Sequence, residues 1–429
     1  MLNVGFAETD ITPKIGSTSP GAFQKRVLKE IHDPLKAVAM VLQNDATTLA
    51  IVGIDALFVT SSIVARARRT IEQKTKITGD HVLIGASHTH GGGPVAPTLG
   101  SDDDPAYVAL VADRVAEAVE QAFRSLHPAE IDHGFGHEPS VSFNRRFLMR
   151  DGRQVTHPGL RNPEAVHPAG PIDPDVGVLA ARAPGGELLG VFVNFACHAT
   201  VVGGPGFSAD YIHYLRENLR RHYGRPHLPV GFLIGSAGDV TQVDNMRPGR
   251  QFGEQWADMI GMALAAEVAQ AVARMEWKSA ATLRAVRTTV PIAVRDERDG
   301  PFESPVIGLG SGKEVDKIYE RERALLAKER AEKPVLDCEV QAFAINDLGI
   351  VTNGAEFFCQ LGLDIKAAGP FPAIWISSLT NEWIGYVGTA NAFYAGGYEP
   401  RTARSAKMAP NAGQLLVEAG LAALKKVRS

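Results

Sequence analysis

The chain has 429 residues, of which 45% are hydrophobic and 21% charged, and its net charge is −4. This composition is typical of globular proteins, and the acidic balance disfavours nucleic acid or an anionic membrane as partner. Three cysteines are too few for a disulfide framework. The start, MLNVGFAETDITP, lacks the features of a signal peptide, and the longest apolar run, residues 49–59, is too short to span a bilayer. We therefore expect a cytoplasmic protein without a transmembrane segment.

Seven short apolar runs predict β-strands. They are rich in β-branched residues and do not alternate with polar ones, which is typical of strands buried on both faces. The runs cover residues 37–42, 49–54, 81–86, 190–196, 230–235, 348–353 and 373–379.

Amphipathic segments between these runs predict helices. From Pro105, apolar residues recur every four positions as far as Phe123. Another helix is predicted to begin at Ser208, and two more cover residues 252–275 and 411–426. Strands that alternate with helices in this way predict an α/β fold.

No internal repeat or Pro/Ser-rich linker divides the chain, so residues 1–429 are predicted to form a single domain. Within it, residues 295–335 are predicted to be an insertion, with a loop over 295–312 and a highly charged helix over 313–333. Such a helix is usually a solvated surface element. It is also the one feature that would suit a non-enzymatic binding protein.

Polar residues follow five of the predicted strands. Because ligands of α/β sheets bind outside the carboxyl ends of the strands, we expect these side chains to converge. In chain order they are His88 and His90, His198, Asp239, Glu356 and Tyr386.

The triplet His88-Thr89-His90 suits a metal site. Two histidines separated by one residue on an extended chain point the same way and reach one site. A catalytic zinc takes three protein ligands from His, Asp, Glu or Cys and leaves a position open. The residues alone also permit two solvent-facing loop histidines, a hydrogen-bonded core histidine at 198 and a surface carboxylate at 356.

Eight short motifs follow one another along the chain: GFAETDITP, HDPL, GASHTHGGGP, FNRRF, NFACHAT, GSAGDVT, NGAEFF and NEWIGYVGT. Taken together, they resemble the N-terminal catalytic domain of the neutral/alkaline (non-lysosomal) ceramidase family. The resemblance covers nearly the whole chain, and the order and spacing of its motifs are more specific than any one of them. It implies mixed β-sheets sandwiched between helices and a zinc-dependent hydrolase.

The resemblance also implies roles for individual residues. The ligands of Zn²⁺ would be His88, His198, Glu356 and Tyr386, with His90 beside the metal. The remaining catalytic positions would be Arg145, Tyr398 and Thr241.

Two departures from the family pattern bear on the substrate and on the attacking group. Thr241 stands where the family has a serine nucleophile, and Gln242-Val243 replaces Pro-Asn. The sequence also shows neither the immunoglobulin-like C-terminal domain nor the secretion signal of full-length family members. We therefore expect a small intracellular substrate of the N-acyl type, and the resemblance alone does not assign ceramide as that substrate.

The expected activity is that of an amidase in which zinc activates a water molecule. Arg145 or Tyr398 would stabilise the oxyanion, and His90 or Asp239 would protonate the leaving amine. Thr241 is predicted to support the site rather than to attack. The residues also permit structural roles: an ion pair for Arg145, loop packing for Tyr398 and backbone bonding for Asp239. An esterase or lactonase, or a zinc lyase or isomerase, would use the same centre.

Overall fold

The structure is a computed structural model that describes residues 1–301 and 312–429. Eight α-helices lie within those ranges. They are α1 (Ser61–Thr75), α2 (Pro105–Arg124), α3 (Tyr211–His222), α4 (Glu254–Ala273), α5 (Lys313–Glu332), α6 (Cys359–Ala368), α7 (Ala390–Tyr394) and α8 (Ala412–Arg428).

The helices predicted over 105–123, 252–275, 313–333 and 411–426 are confirmed as α2, α4, α5 and α8. The helix predicted to begin at Ser208 begins three residues later, at Tyr211. Asp210 has a positive φ of 60° and caps the helix through its carboxylate, which accepts from the Tyr211 amide. The Ser208 hydroxyl donates to Asp33 instead. Neither α1 nor α6 was predicted.

The strands include all seven predicted ones, which are β5, β6, β7, β15, β17, β21 and β23 below. In chain order the first twelve are β1 (Asn3–Asp10), β2 (Thr18–Ser19), β3 (Arg26–Val27), β4 (Glu30–Ile31), β5 (Lys36–Gln43), β6 (Thr48–Ile54), β7 (Val82–Ala86), β8 (His127–Pro128), β9 (Glu130–His137), β10 (Phe143–Asn144), β11 (Arg146–Met149) and β12 (Gln154–Thr156). The others are β13 (Ala165–Pro168), β14 (Asp175–Arg182), β15 (Leu188–Phe195), β16 (Gly206–Phe207), β17 (Val230–Ile234), β18 (Val240–Thr241), β19 (Leu283–Ala293), β20 (Val335–Ile345), β21 (Leu348–Thr352), β22 (Ala355–Phe357), β23 (Ala373–Ser377) and β24 (Gly385–Val387).

Three larger sheets form the centre of the fold, in the strand orders β7-β6-β5-β1-β8, β17-β15-β14-β9 and β19-β20-β21-β23. Each is mixed, because antiparallel pairs are joined by one parallel pair: β6 with β7, β15 with β17, and β21 with β23. The three sheets share one apolar core, which includes Met40, Phe192 and Trp375. They pack closely: a Cβ on Gly53 of β6 would lie 2.4 Å from the Phe232 carbonyl oxygen of β17.

Helices cover the outer faces of these sheets. The buried faces of α1 to α4 belong to a second core, and α6 and α8 pack in a third beside the β19–β23 sheet. This confirms the predicted α/β class with mixed sheets between helices. Among the helices described, none is long and apolar enough to cross a membrane.

The segment predicted as an insertion leaves and returns at one end of a hairpin, because Ala293 of β19 pairs with Val335 of β20. Residues 302–311 of its predicted loop lie outside the described residues. The helix over 313–333 was predicted to be a solvated surface element, but one of its faces is buried. That face consists of Val315, Tyr319, Glu322 and Leu326.

Candidate active site

Three histidines meet where β7 and β15 end. The ligand atoms of His88, His90 and His198 all lie within 4.8 Å of one another. Each ring places Nδ1 against a backbone carbonyl oxygen, at 2.7 Å for His88, 3.0 Å for His90 and 2.7 Å for His198. Because a carbonyl only accepts, Nδ1 carries the proton and Nε2 keeps its lone pair. The arrangement therefore turns three lone pairs towards one region.

The backbone of the triplet differs from the extended chain that was predicted. His88 has a φ of 63°, in the left-handed region, and its ring stands at 84° to that of His90. Thr89 forms a parallel bridge with Ala199, and its hydroxyl donates to the Ser208 carbonyl. The triplet thus runs alongside the segment that carries His198, and this pairing, not strand alternation, brings the rings together.

Glu356 completes the cluster from the short strand β22. Its Oε2 lies 3.3 Å from His88 Nε2 and 3.8 Å from His198 Nε2. Its Oε1 accepts from Trp383 Nε1 at 3.3 Å. Tyr386 of β24 is the direct register partner of Glu356. The structure therefore brings together all four residues that the resemblance implied as metal ligands.

The donor set fits a divalent cation. His88 Nε2, His90 Nε2 and Glu356 Oε2 are buried, and no described residue hydrogen-bonds to them. Buried polar atoms are rarely left unpaired, because each costs free energy. The 3.3 Å between His88 and Glu356 matches the spacing of about 3.4 Å between two ligands of a tetrahedral zinc. His90 was expected beside the metal; its ligand atom lies within 4.8 Å of those of His88 and His198, and its Nε2 has no hydrogen-bond partner in the described part of the chain.

Burial keeps two of the histidines in the protonation state that a metal requires. It lowers the pKa of His90 and of His198 well below the usual value, and nearby positive charges add to this effect. Both rings are therefore neutral, as ligating imidazoles must be. Burial raises the pKa of Tyr386 well above its usual value, and the Glu356 carboxylate raises it further.

Arg145 is the cation of the site. Its Nη1 lies 3.3 Å from His198 Nε2, and its Nη2 donates to the Tyr386 hydroxyl at 3.2 Å. The guanidinium also lies 5.6 Å from the ring centre of Tyr386 and 5.8 Å from that of Tyr398. Burial acts to lower the pKa of Arg145, but the partial and full negative charges of Tyr386 and Glu399 raise it overall. Arg145 is therefore permanently charged.

A buried carboxylate that the sequence analysis missed holds this arginine in place. Glu399 Oε1 accepts from Arg145 Nε at 2.8 Å, and Oε2 accepts from Arg146 Nη1 at 2.7 Å and from the Thr156 hydroxyl at 2.8 Å. The side chains of Glu399 and Arg146 are each 1% exposed. Two consecutive arginines in FNRRF were a usable signal, because buried guanidinium groups need an anion.

A cavity of about 450 Å³ opens onto the cluster. Its walls combine site residues with apolar side chains, so an apolar ligand can reach the rings of His90 and His198. The site residues on the wall are His90, Arg145, His198, Thr241, Tyr386 and Tyr398. The others are Gly21, Ala22, Phe23, Leu99, His157, Gly159, Leu160, Thr200, Val243, Asn245 and Phe252.

Comparisons of the sequence and of the fold show which known proteins the chain resembles. No family model matches the chain. The chain is 23% identical over 387 residues to the neutral ceramidase of Pseudomonas aeruginosa. The aligned region covers 75% of this chain and 56% of that protein. The chain thus spans little more than half the length of this curated relative.

Solved structures agree on the fold. A ceramidase solved in complex with C2 superposes with a TM-score of 0.78 at 19% identity, over 100% of this chain and 75% of the other. The neutral ceramidase crystal structure from Pseudomonas aeruginosa gives 0.76 at 20% identity, over 99% and 75%. The chain is similar to the neutral ceramidases. It has the ceramidase fold, as the motifs implied.

Two further predicted residues occupy different places around this site. Thr241 lines the cavity, and its hydroxyl donates to Gln242 Oε1 at 2.7 Å. Asp239 is not on the cavity wall. Its Oδ1 accepts from the Cys359 amide at 2.8 Å, and its Oδ2 accepts from Asn144 Nδ2 at 2.7 Å. Asp239 therefore ties three segments together behind the site.

Proposed function

We propose that this protein is a zinc-dependent hydrolase that cleaves the amide bond of a small N-acyl substrate. One observation carries the proposal: the Nε2 atoms of His88 and His90 and the Oε2 of Glu356, which have no hydrogen-bond partner among the described residues, converge in a buried cluster that includes His198. The relationship to neutral ceramidases supports amide hydrolysis as the reaction. The apolar part of the cavity lining supports an acyl chain as part of the substrate.

The residues that would hold the metal are His88, His198, Glu356 and Tyr386, and His90 lies beside them. When bound, the metal supplies Lewis-acid chemistry: it polarises a carbonyl group and lowers the pKa of a water molecule. The fixed Nδ1 hydrogen bonds orient the imidazoles before any ion arrives, which favours tight binding.

The chain's own groups would then act on the substrate. Arg145 is charged and held rigidly by Glu399, so its field favours the negative charge that develops on the carbonyl oxygen. Tyr398 presents a second ring to Arg145 on the cavity wall and can donate its hydroxyl proton in a hydrogen bond to the same oxygen. Burial raises the pKa of Tyr398, so this proton is retained.

His90 is the residue best placed to move a proton. It is neutral, its Nδ1 is fixed on the Gly21 carbonyl, and its Nε2 has no partner among the described residues. It would accept a proton at Nε2 and pass it to the leaving amine. Asp239 is less suited to this role, because both of its oxygens already accept hydrogen bonds.

Metal content and hydrolysis, measured together, test the proposal. The purified protein is loaded with zinc, its metal is quantified by elemental analysis, and hydrolysis of N-acyl p-nitroanilides is followed. His88→Ala and His198→Ala are expected to lose both metal and activity. His127→Ala, which removes an exposed histidine, is the matched control and should lose neither.

Two outcomes would contradict the proposal. Full turnover by a metal-free preparation would show that the cluster does not act through a metal. Hydrolysis of p-nitrophenyl esters without any hydrolysis of the matched anilides would replace the amidase with an esterase. The cytoplasmic location is tested separately, by fractionation of cells that produce the protein.

A further inference from the structure

One wall of the cavity is backed by helix α5. The cavity residues Phe23 and Tyr398 pack edge to face, with ring centres 5.9 Å apart. Phe23 also contacts Tyr319 of α5, at 6.0 Å between ring centres. A third cavity residue, Leu99, accepts a hydrogen bond at its carbonyl from Arg321 of the same helix. The aromatic contacts thus run from α5 through Phe23 to the site.

Helix α5 is itself fixed by buried interactions. The Glu322 side chain is 1% exposed, and its two oxygens accept from Arg404 at 2.8 and 2.9 Å. Asp316 accepts from Arg401 at 3.0 Å, and the Arg401 guanidinium lies 3.7 Å from the ring centre of Tyr319. Two-pronged pairs of this kind are the strongest ionic contacts in proteins.

The two arginines follow Tyr398 closely in the chain, so α5 is clamped to the segment that carries this site residue. Val315 and Tyr319 of α5 form a small apolar cluster with Ala403, against which Phe23 packs. Tyr319 is 1% exposed and does not itself line the cavity. The helix is therefore a second layer behind the wall, and Phe23 is the side chain through which it reaches the ligand space.

We infer that α5 sets the shape of the cavity: Phe23 determines which apolar chain the substrate carries, and Tyr319 is a positioning residue that holds Phe23. This inference rests on the proposed function for its readout in catalysis. A cavity of about 450 Å³ is at the small end of ligand sites. Removal of one aromatic ring from its wall would therefore enlarge it appreciably. Shortening Phe23 opens the wall, and removing the Tyr319 ring leaves Phe23 free to turn away.

The test is the acyl-chain preference of the zinc-loaded protein. kcat/KM is measured for N-acyl p-nitroanilides with saturated chains of increasing length, from acetyl to palmitoyl. Phe23→Ala is expected to raise the ratio of long-chain to short-chain kcat/KM by at least about tenfold, because single methylene groups in an apolar pocket already discriminate to this degree. Tyr319→Ala should shift the ratio in the same direction, and Tyr319→Phe should restore it.

Tyr394→Ala is the matched control, since it removes a tyrosine ring that is 77% exposed. It should leave the ratio unchanged. An unchanged ratio in folded Phe23→Ala would overturn the inference, as would an equal fall of kcat at every chain length in Tyr319→Ala. If Tyr319→Ala does not fold, Tyr319→Leu keeps the apolar bulk without the ring and takes its place.

A binding measurement separates this inference from the proposed function. The Kd values of saturated fatty acids from butyrate to palmitate are measured by calorimetry for the same variants, without added metal. If no variant hydrolyses any anilide, the proposed function fails, but the preferred fatty acid should still become longer in Phe23→Ala. The same preferred length in the wild-type protein and in Phe23→Ala would overturn the role of the wall.

Discussion

Two groups of buried polar residues lie side by side at the cavity, and they are built in opposite ways. In the histidine cluster, each Nδ1 is bonded to a backbone carbonyl, whereas Nε2 of His88 and His90 and Oε2 of Glu356 accept no hydrogen bond within residues 1–301 and 312–429. Around Glu399, both oxygens are paired with Arg145, Arg146 and Thr156. The cluster leaves its atoms available at a cost in stability, whereas the Glu399 network satisfies its charges and stabilises the wall. We therefore expect the cluster to govern activity and the Glu399 network to govern stability.

The largest expected effect comes from Glu356→Gln, which removes the charge from the cluster and keeps its shape. We expect kcat/KM to fall by at least about 10⁴-fold, or ~5 kcal/mol, because the metal loses an anionic ligand. Without metal, the variant should be at least as stable as the wild-type protein, since a neutral amide is easier to bury than a carboxylate. Steady-state kinetics and urea denaturation measure the two quantities. A variant with normal turnover and lower stability would reverse the comparison.

Glu399→Ala is expected to act mainly on stability. Two buried guanidinium groups lose their shared partner, and removing one member of a buried ion pair costs about 3–5 kcal/mol. The free energy of unfolding from urea titration checks this value. Glu164→Ala, which removes an exposed carboxylate, is the control and should change stability little. A loss below about 1 kcal/mol at Glu399 would mean that the network does not stabilise the wall.

The same carboxylate predicts acid sensitivity. Burial alone would raise the pKa of Glu399, but the charges of Arg145 and Arg146 lower it from 4.5 to about 2. A depressed folded-state pKa contributes stability that is complete above the unfolded value and is lost as the pH falls. The contribution, roughly 3 kcal/mol, should therefore disappear between pH 4.5 and pH 2. Across this range the free energy of unfolding should depend less steeply on pH in Glu399→Gln than in the wild-type protein. An equal dependence on pH in the two proteins would contradict the assignment.

The smallest effect is expected at the lining hydroxyl. Thr241→Val keeps the branched shape and removes the hydrogen bond to Gln242. We expect kcat to fall by less than about tenfold, ~1.4 kcal/mol, because the proposed attacking group is a metal-activated water and not this hydroxyl. Kinetics with zinc content measured in parallel provide the check. Complete loss of turnover with normal folding and zinc would assign the attack to Thr241.

Much of the cluster was predictable from the sequence, because its residues follow buried strands. His88, His198 and Glu356 come after β7, β15 and β21, whose uninterrupted apolar runs identify them as strands. These three strands lie in three different sheets, so their ends meet because of how the sheets pack against one another, which the sequence did not show. The resemblance to ceramidases selected Tyr386 and Arg145 from the many polar residues nearby. The single-domain organisation and the cytoplasmic location stay predictions.

Other features depended on contacts that no local pattern records. Glu399 pairs with an arginine 253 positions earlier in the chain, and Tyr319 contacts the cavity residue Phe23, which lies near the other end of the chain. The charged sequence of α5 predicted a solvated helix, since charge periodicity does not reveal which carboxylates find buried arginines.

The sequence by itself determined the seven buried strands, the helices α2, α4, α5 and α8 and the chemical types of the donor atoms, because burial and periodicity are local properties of the chain. Only the tertiary structure decided which nitrogen of each histidine faces the cluster and which carboxylates are paired. It also decided that Asp239 supports the site rather than faces it. These properties depend on distances between segments that pack together after folding.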